Sequence, residues 1–467
     1  MSRVLIVSHD VVGPNMAGPG IRYWEMSAAL VRQGFDVTLA APVGSSSIDE
    51  PEQSRSDLSI DENRRGKRTD PAEIRLLKYR PGDQAVVDAA QVADCVVVTG
   101  PILQQFPALV HSDRPIAVDL YDPFLFENLH HLRDTPRAWP EYIGGRSILA
   151  TQMARGDFFF CANQRQRDLY QGMLTAWGRI NPATYESDPT LDELLAIVPF
   201  GISSHQPRPG PAARGQIAGI DESSQLVVWN GGIWDWFDPI TAIEAIALVR
   251  ERLPSIRLLF LGTRHPNPVI GEPPTAIAAR ARAQELGLLD SFVFFRDWTP
   301  YHERGAFLLE ANLAISLHVP GIETRFSSRT RLLDCIWAGV QFITSDGDAI
   351  GEELARLGLA KITPCGDIES VAQAIEALVN DVGGQSDRSV GFATLAASLS
   401  WDKVVAPLVS FARNPRRAAD HRSPFSGSTS LQQSTVTGLP AGRRTIWHRI
   451  LRYLAERELA ESTGGPQ

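Results

Sequence analysis

Residues 3–26 read RVLIVSHDVVGPNMAGPGIRYWEM. The first part is a short β-branched apolar run of the kind that forms a strand covered on both faces of a parallel sheet. It leaves through Gly13, Pro14, Gly18, Pro19 and Gly20, and then places Ile21, Trp24, Ala28 and Val31 at helical spacing as far as Gly34. A Gly/Pro cluster makes a turn, because glycine supplies positive φ and proline presets φ near about −65°. Between a strand and a helix N-terminus it also lets backbone N–H groups approach an anion. The spacing is neither that of the dinucleotide fingerprint nor that of a P-loop, so both readings stay open on these residues alone.

The pattern recurs. QLVVWNGG (225–232) is a second strand into a glycine pair, followed by the helical stretch PITAIEAIALVRERLP (239–254). Around the first unit stand the strand candidates DVTLAAP, IRLLKY, DCVVVTG, PIAVDLYD and DFFFCAN; around the second stand IRLLFLG, SFVFFRDW, ANLAISLH and VQFITSD. Strands alternating with helices predict an α/β chain of two doubly wound, Rossmann-like parallel-sheet domains facing a cleft, with the ligand at the carboxyl ends of the strands. IVPFGI (197–202) and the Pro/Gly stretch HQPRPGPAARG (205–215) read as the passage between them. The expected division is 1–200, 201–413 and 414–467, with a polar, aperiodic surface insertion at 43–73.

The 467 residues are 43% apolar and 21% charged, with a formal charge of −9. That balance suits a globular protein and excludes a general nucleic-acid binder, whose footprint is basic. Cys95, Cys161, Cys335 and Cys365 are scattered without a CxxC pair, as expected of reduced thiols in the cytoplasm. The early apolar run is too short for a signal peptide, and no stretch approaches the roughly 18 apolar residues of a spanning helix. The Ser, Gly, Pro and Arg-rich residues after 413 read as disordered. They end in RRTIWHRILRYLAERELAE (443–461), either a docking helix or an interfacial helix on an anionic membrane.

The densest polar cluster is HVPGIETRFSSRTRLLDCIWAG (318–339), which begins where the strand ANLAISLH ends. Ser327 or Ser328 is expected to cap a helix whose buried stripe is Leu332, Leu333 and Ile336. Arg325, Arg329 and Arg331 then surround a helix start that already favours an anion, and a diphosphate is the natural guest. The competing reading is a solvated turn whose arginines pair with Glu323 and Asp334, worth under about 1 kcal/mol per pair. Asn163, Gln164 and Arg165 after DFFFCAN read either as a helix cap or as ligand contacts. Trp234, Asp235 and Trp236 offer aromatic faces to a sugar or fill a core, and Arg264 and His265 flank a nucleobase or a plain loop.

These phrases resemble glycosyltransferase family 4, retaining transferases of the GT-B fold that use nucleotide sugars. The likeness covers residues 3–400. It rests on the glycine-rich loop after the first strand, on IVPFGI, where the family carries a similar Pro-x-Gly, and on LLDCIWAGVQFITSDGD (332–348). MAGPGIRYWE and ETRFSSRTR are similar to phrases of a bacterial subgroup in surface-polysaccharide or secondary-metabolite gene sets. The resemblance implies transfer from a nucleoside diphosphate sugar to a hydroxyl of a glycan, a lipid-linked saccharide or a small molecule, with no metal or other cofactor. It implies that Asp334 meets the nucleotide ribose and that Glu323, Arg325, Arg329 and Arg331 form the reacting set. Gly18, Gly20, Arg22, Gly231, Gly232 and Ser328 are expected on the donor, and Asp119, Asp122 and Asn163 on the acceptor side.

The chain departs from the family at three places. Phe326 stands where E-x7-E needs its first acid, with Glu323 three residues earlier; WNGGIWDWFDP lacks the usual basic pair; and Tyr121-Asp122 replaces a His-Asp. Arg325, Arg329 or Arg331 would then serve in place of the missing pair. The departures also suit a catalytically silent nucleotide-sugar-binding protein, and epimerases and phosphorylases share the fold.

Overall fold

The computed structural model describes residues 1–43, 74–132, 136–264, 271–381 and 385–421. The expected insertion from 44 onward, His265 and the Arg-rich stretch at 443–461 lie outside the described residues.

The apolar runs form two parallel sheets. The first takes β1 (Arg3–Val7), β2 (Asp36–Pro42), β3 (Arg75–Tyr79), β4 (Cys95–Thr99), β5 (Ile116–Asp119), β6 (Phe158–Cys161) and β7 (Leu195–Ile197), in the spatial order β3-β2-β1-β4-β5-β6-β7. The second takes β8 (Gln225–Gly232), β9 (Ile256–Gly262), β10 (Val293–Phe295), β11 (Leu313–Ser316), β12 (Phe342–Ser345) and β13 (Ala360–Thr363), in the order β10-β9-β8-β11-β12-β13. Every strand pair is parallel. The direction of strand order reverses between β1 and β4 and between β8 and β11. Crevices open at such reversals beyond the strand ends, and both glycine turns leave from them. The two doubly wound domains expected from the sequence are therefore present.

Local chemistry fixes the first helix, Gly18–Arg32. Gly18 and Pro19 occupy its first positions, where a missing N–H costs nothing. Beyond it Gly34 adopts φ +89°, the Gly34 N–H reaches Val31 O and the Phe35 N–H reaches Leu30 O, which closes a Schellman cap.

The chain passes to the second sheet through Val198–Ile202 and returns at Leu399–Trp401, and the two crossings pair by Ile202 N to Leu399 O at 2.8 Å and Trp401 N to Ile202 O at 3.3 Å. A Cβ on Gly201 would stand 2.4 Å from the Trp401 ring, so only glycine fits there. The helices Trp401–Val404 and Ala406–Arg413, expected with the second domain, pack on the first instead: Phe411 stacks on Phe158 of β6 at 4.9 Å. The expected disorder after 413 is also corrected as far as His421. Asp420 is buried against Arg179 at 2.7 Å, and Arg417 reaches Asp157 at 2.9 Å.

Among the described residues, no helix is long and apolar enough to cross a membrane.

Candidate active site

Between the carboxyl ends of the sheets lies a cleft of about 320 Å³. Its first-domain wall is made by Met16–Pro19, Tyr121, Asp122 and Glu127. Its second-domain wall is made by Gly231, Gly232, Trp234, Trp236, Trp298, Thr299 and the segment Ser327–Arg331 with Asp334.

The first-domain turn divides its glycines between two tasks. A Cβ on Gly20 would lie 2.3 Å from Val11 O and 2.9 Å from Met16 Cβ, so this glycine lets the helix seat on its own loop. Gly18 has open space at that position and borders the cleft. Arg22 corrects the sequence expectation. It is fully buried, with Nε and Nη2 on Asp119 at 2.6 and 3.1 Å, Nη1 on Pro199 O at 3.1 Å and Nη2 on Val198 O at 3.0 Å. Its guanidinium lies over the Tyr121 ring at 4.5 Å. Four of its five N–H donors are taken, two by Asp119 and two by the interdomain crossing, and Arg22 does not line the cleft. Asp119, expected on the acceptor side, is buried in the same cluster, where it also receives Tyr23 Oη at 3.0 Å and the Tyr121 N–H at 3.0 Å.

Asp122 does face the cleft, together with Glu127, which the sequence did not single out. The two carboxyls are hydrogen-bonded to each other. Burial pushes both upward, and for Glu127 the neighbouring Asp122 and then Glu323 add like charge, so the pair shares a proton more readily than an exposed pair would.

In the second domain β8 shifts register between Trp229 and Gly232, and Gly231 takes φ +99°. The bulge turns the Gly232 carbonyl toward Arg331, whose Nη2 donates to it at 2.7 Å, while Asn230 Nδ2 donates to Arg331 O at 2.9 Å. The glycine pair thus borders the cleft and seats an arginine. Trp234 and Trp236 stack at 5.9 Å on its rim, and Asp235 accepts from Thr275 Oγ1 at 2.9 Å.

Past β11, a helix at Ile322–Phe326 and a turn lead into the helix Thr330–Ala338. Neither Ser327 nor Ser328 caps that second helix. Arg329 stands at the N-cap, and no side chain closes the helix start. Glu323 is fully buried and its Oε2 accepts from Arg329 Nη2 at 2.6 Å. Glu323 Oε1, Arg329 Nε and Arg331 Nη1 are buried without a hydrogen-bond partner among the described residues. The ring of Phe237 lies under both guanidinium groups, at 5.0 Å from Arg329 and 3.8 Å from Arg331. Burial and then the neighbouring Arg329 pull Arg331 downward. Burial, reinforced by Arg329, likewise holds His318 down at about 3, so its ring is neutral beside Asp346 O at 3.1 Å.

The remaining expectations divide. Asp334 borders the cleft and pairs with Arg304 at 3.1 Å; burial raises its carboxyl and Arg304 opposes that. Ser328 borders the cleft as well. Arg325 is exposed beside the Phe326 ring and outside the cleft, so it leaves the reacting set. Asn163 caps the helix Gln164–Ala176 and reaches Ser327 O at 3.4 Å, while Arg165 donates to Gly347 O at 2.8 Å; both are contacts between domains. Arg264 is exposed near Glu272 and Asp297.

No family profile and no curated relative matches the chain by sequence. Solved structures do resemble it. Sucrose-phosphate synthase from Thermosynechococcus elongatus is 13% identical, with a TM-score of 0.61 over 88% of this chain and 98% of that one. Anabaena Alr3699/HepE in complex with UDP-glucose is 13% identical, with a TM-score of 0.60 over 88% and 99%. WaaG, a glycosyltransferase involved in lipopolysaccharide biosynthesis, is 16% identical, with a TM-score of 0.54 over 90% and 100%. The fold is GT-B. Within this GT-B frame the cleft is polar in charge, with Arg304, Arg329 and Arg331 on the second-domain wall and Asp122 and Glu127 on the first.

Proposed function

We propose that the protein is a retaining glycosyltransferase of the family 4 type, moving a sugar from a nucleoside diphosphate sugar to a hydroxyl. One observation carries the reading: Arg329 and Arg331 are buried in the cleft wall, and each keeps an N–H without a partner. An unsatisfied buried donor costs about 1–3 kcal/mol, more for a charged group, and an anion seated here removes that cost. The uncapped start of Thr330–Ala338 adds its dipole at the same point. UDP-glucose bound to the similar HepE structure supports a nucleotide sugar as the guest.

The chemistry then follows from charge. As the bond from sugar to diphosphate breaks, negative charge grows on the leaving oxygens, and the two guanidinium groups stabilise it without reorganising. Glu323 Oε1 accepts from a donor-sugar hydroxyl, and Asp334 accepts from the ribose. Gly18 and the Gly231–Gly232 bulge border the donor, while Asp122 accepts from a neighbouring hydroxyl of the acceptor. The attacking hydroxyl enters from the face the diphosphate leaves, and a phosphate oxygen takes its proton. The arginines supply the positive charge, so no metal or other cofactor is assigned a step. The acceptor is a glycan, a lipid-linked saccharide or a small molecule, and residues 443–461 add contact with an anionic membrane.

The test compares uridine diphosphate with uridine on Arg329→Ala. The variant should lose about 10-fold to 100-fold in diphosphate affinity with little change for the nucleoside. Equal loss of both refutes the phosphate site.

A further inference from the structure

The turn that carries Arg329 is held by side chains of the opposite domain that have no part in the chemistry above. Three successive carbonyls of this turn accept from the first domain: Phe326 O from Gln166 Nε2 at 2.8 Å, Ser327 O from Asn163 Nδ2 at 3.4 Å, and Ser328 O from Tyr121 Oη at 2.9 Å. Gln166 is the centre of this clasp. It sits in the first turn of Gln164–Ala176 and is fully buried. Its Oε1 accepts the Ala162 N–H at 2.7 Å, and its Nε2 donates at 2.7 Å to Tyr121 O as well as to Phe326 O.

One amide therefore joins the end of β6, the loop that runs on from Tyr121 into Asp122, and the turn between Glu323 and Arg329. A primary amide is the group that presents two N–H donors and a carbonyl on one plane. The Ala162 N–H on Oε1 fixes which way that plane faces, because the flipped amide would set its oxygen against two carbonyls. Glutamate would set an oxygen there in the same way, and methionine would leave both carbonyls unsatisfied.

We propose that Gln166 is a positioning residue that fixes the Arg329 turn against the acceptor-side loop, so that the anion site and Asp122 keep one spacing. The proposal rests on the nucleotide-sugar reading for its consequence in catalysis, but its geometry can be read without any ligand.

The first measurement is amide hydrogen exchange across residues 320–332 of the whole protein in the absence of nucleotide. Gln166→Met and Tyr121→Phe should each speed exchange in this segment while β11 and β12 keep theirs; unchanged exchange in the segment overturns the proposal. The second measurement is calorimetric binding of uridine diphosphate and uridine. Gln166→Met should weaken the diphosphate about 10-fold and spare the nucleoside, and adding it to Arg329→Ala should cost nothing further. Losses that multiply, or equal loss of both ligands, mean a general structural role and overturn it. If Gln166→Met does not fold, Tyr121→Phe, which keeps the ring and removes one clasp, carries both comparisons. A wild-type protein that binds no diphosphate refutes the proposed function, while the exchange result still decides the role of Gln166.

Discussion

The Arg329 guanidinium and the Glu323 carboxylate meet at 2.6 Å inside the second-domain wall, and each keeps one polar atom unpartnered. They stand six positions apart, one on a short helix and the other at the cap of the next. A buried ion pair that is only half satisfied is costly as a structural device. It makes sense as a pair that shares its remaining bonds with a donor.

Removing one partner should expose that cost. Glu323→Ala leaves Arg329 buried and unpaired, and we expect a loss of about 3–5 kcal/mol in unfolding free energy. Glu323→Gln keeps the shape and one acceptor oxygen. It should fold, hold uridine diphosphate nearly as well as the parent and lower the turnover of a sugar donor, as measured by calorimetry beside a transfer assay.

Burial and then Arg329 disfavour the charged form of Arg331, so its shift is downward from the ordinary 12.5. A guanidinium nevertheless keeps its proton throughout the range in which a protein stays folded. Diphosphate affinity should therefore stay flat from about pH 7 to 9. Arg331→Ala should bind weakly with the same flat profile, which a titration series across this range checks.

Gly18 and Gly20 should part company. Gly20→Ala places a Cβ 2.3 Å from Val11 O and should cost at least about 1–3 kcal/mol in thermal unfolding. Gly18→Ala meets open space and should leave the melting temperature unchanged. If it weakens donor binding, the turn touches the donor through its backbone.

One truncation and one substitution separate the two parts of the C-terminal region. Ending the chain after Ser426 keeps Arg417 and Asp420 and should leave the melting temperature unchanged, while any binding to anionic vesicles disappears. Asp420→Ala leaves the buried Arg179 without its carboxylate, which should cost about 3–5 kcal/mol, or about 3–6 °C, in calorimetry.

The strands legible from the sequence were the ones covered on both faces, such as Val4–Val7 and Val227–Trp229, because there the apolar run is nearly continuous. β13 was missed, since Ala360–Thr363 is a half-exposed edge strand with Lys361 in its middle. The Arg329–Arg331 cluster is legible because it follows a strand end and precedes an apolar helical stripe. Arg22 was placed wrongly because its partner Asp119 is 97 residues away and becomes its neighbour only through the order β1-β4-β5. Arg325 stands in the same arginine run as Arg329, and only the five-residue helix decides that one faces water and the other the cleft. Gln166 carried a local signal, three residues after an Asn cap. Its reach to Phe326 O could not be read from that spacing, because Phe326 lies 160 residues further on.

The return crossing at Leu399–Trp401 has a consequence for synthesis. Phe158 finds Phe411, and Arg179 finds Asp420, only after almost the whole described chain has left the ribosome. Until then a nascent first domain carries an uncovered aromatic face on β6 and an unneutralised arginine beneath it. Its completion waits on the last helices, so translation of the second domain sets the earliest moment at which the first can reach its final stability.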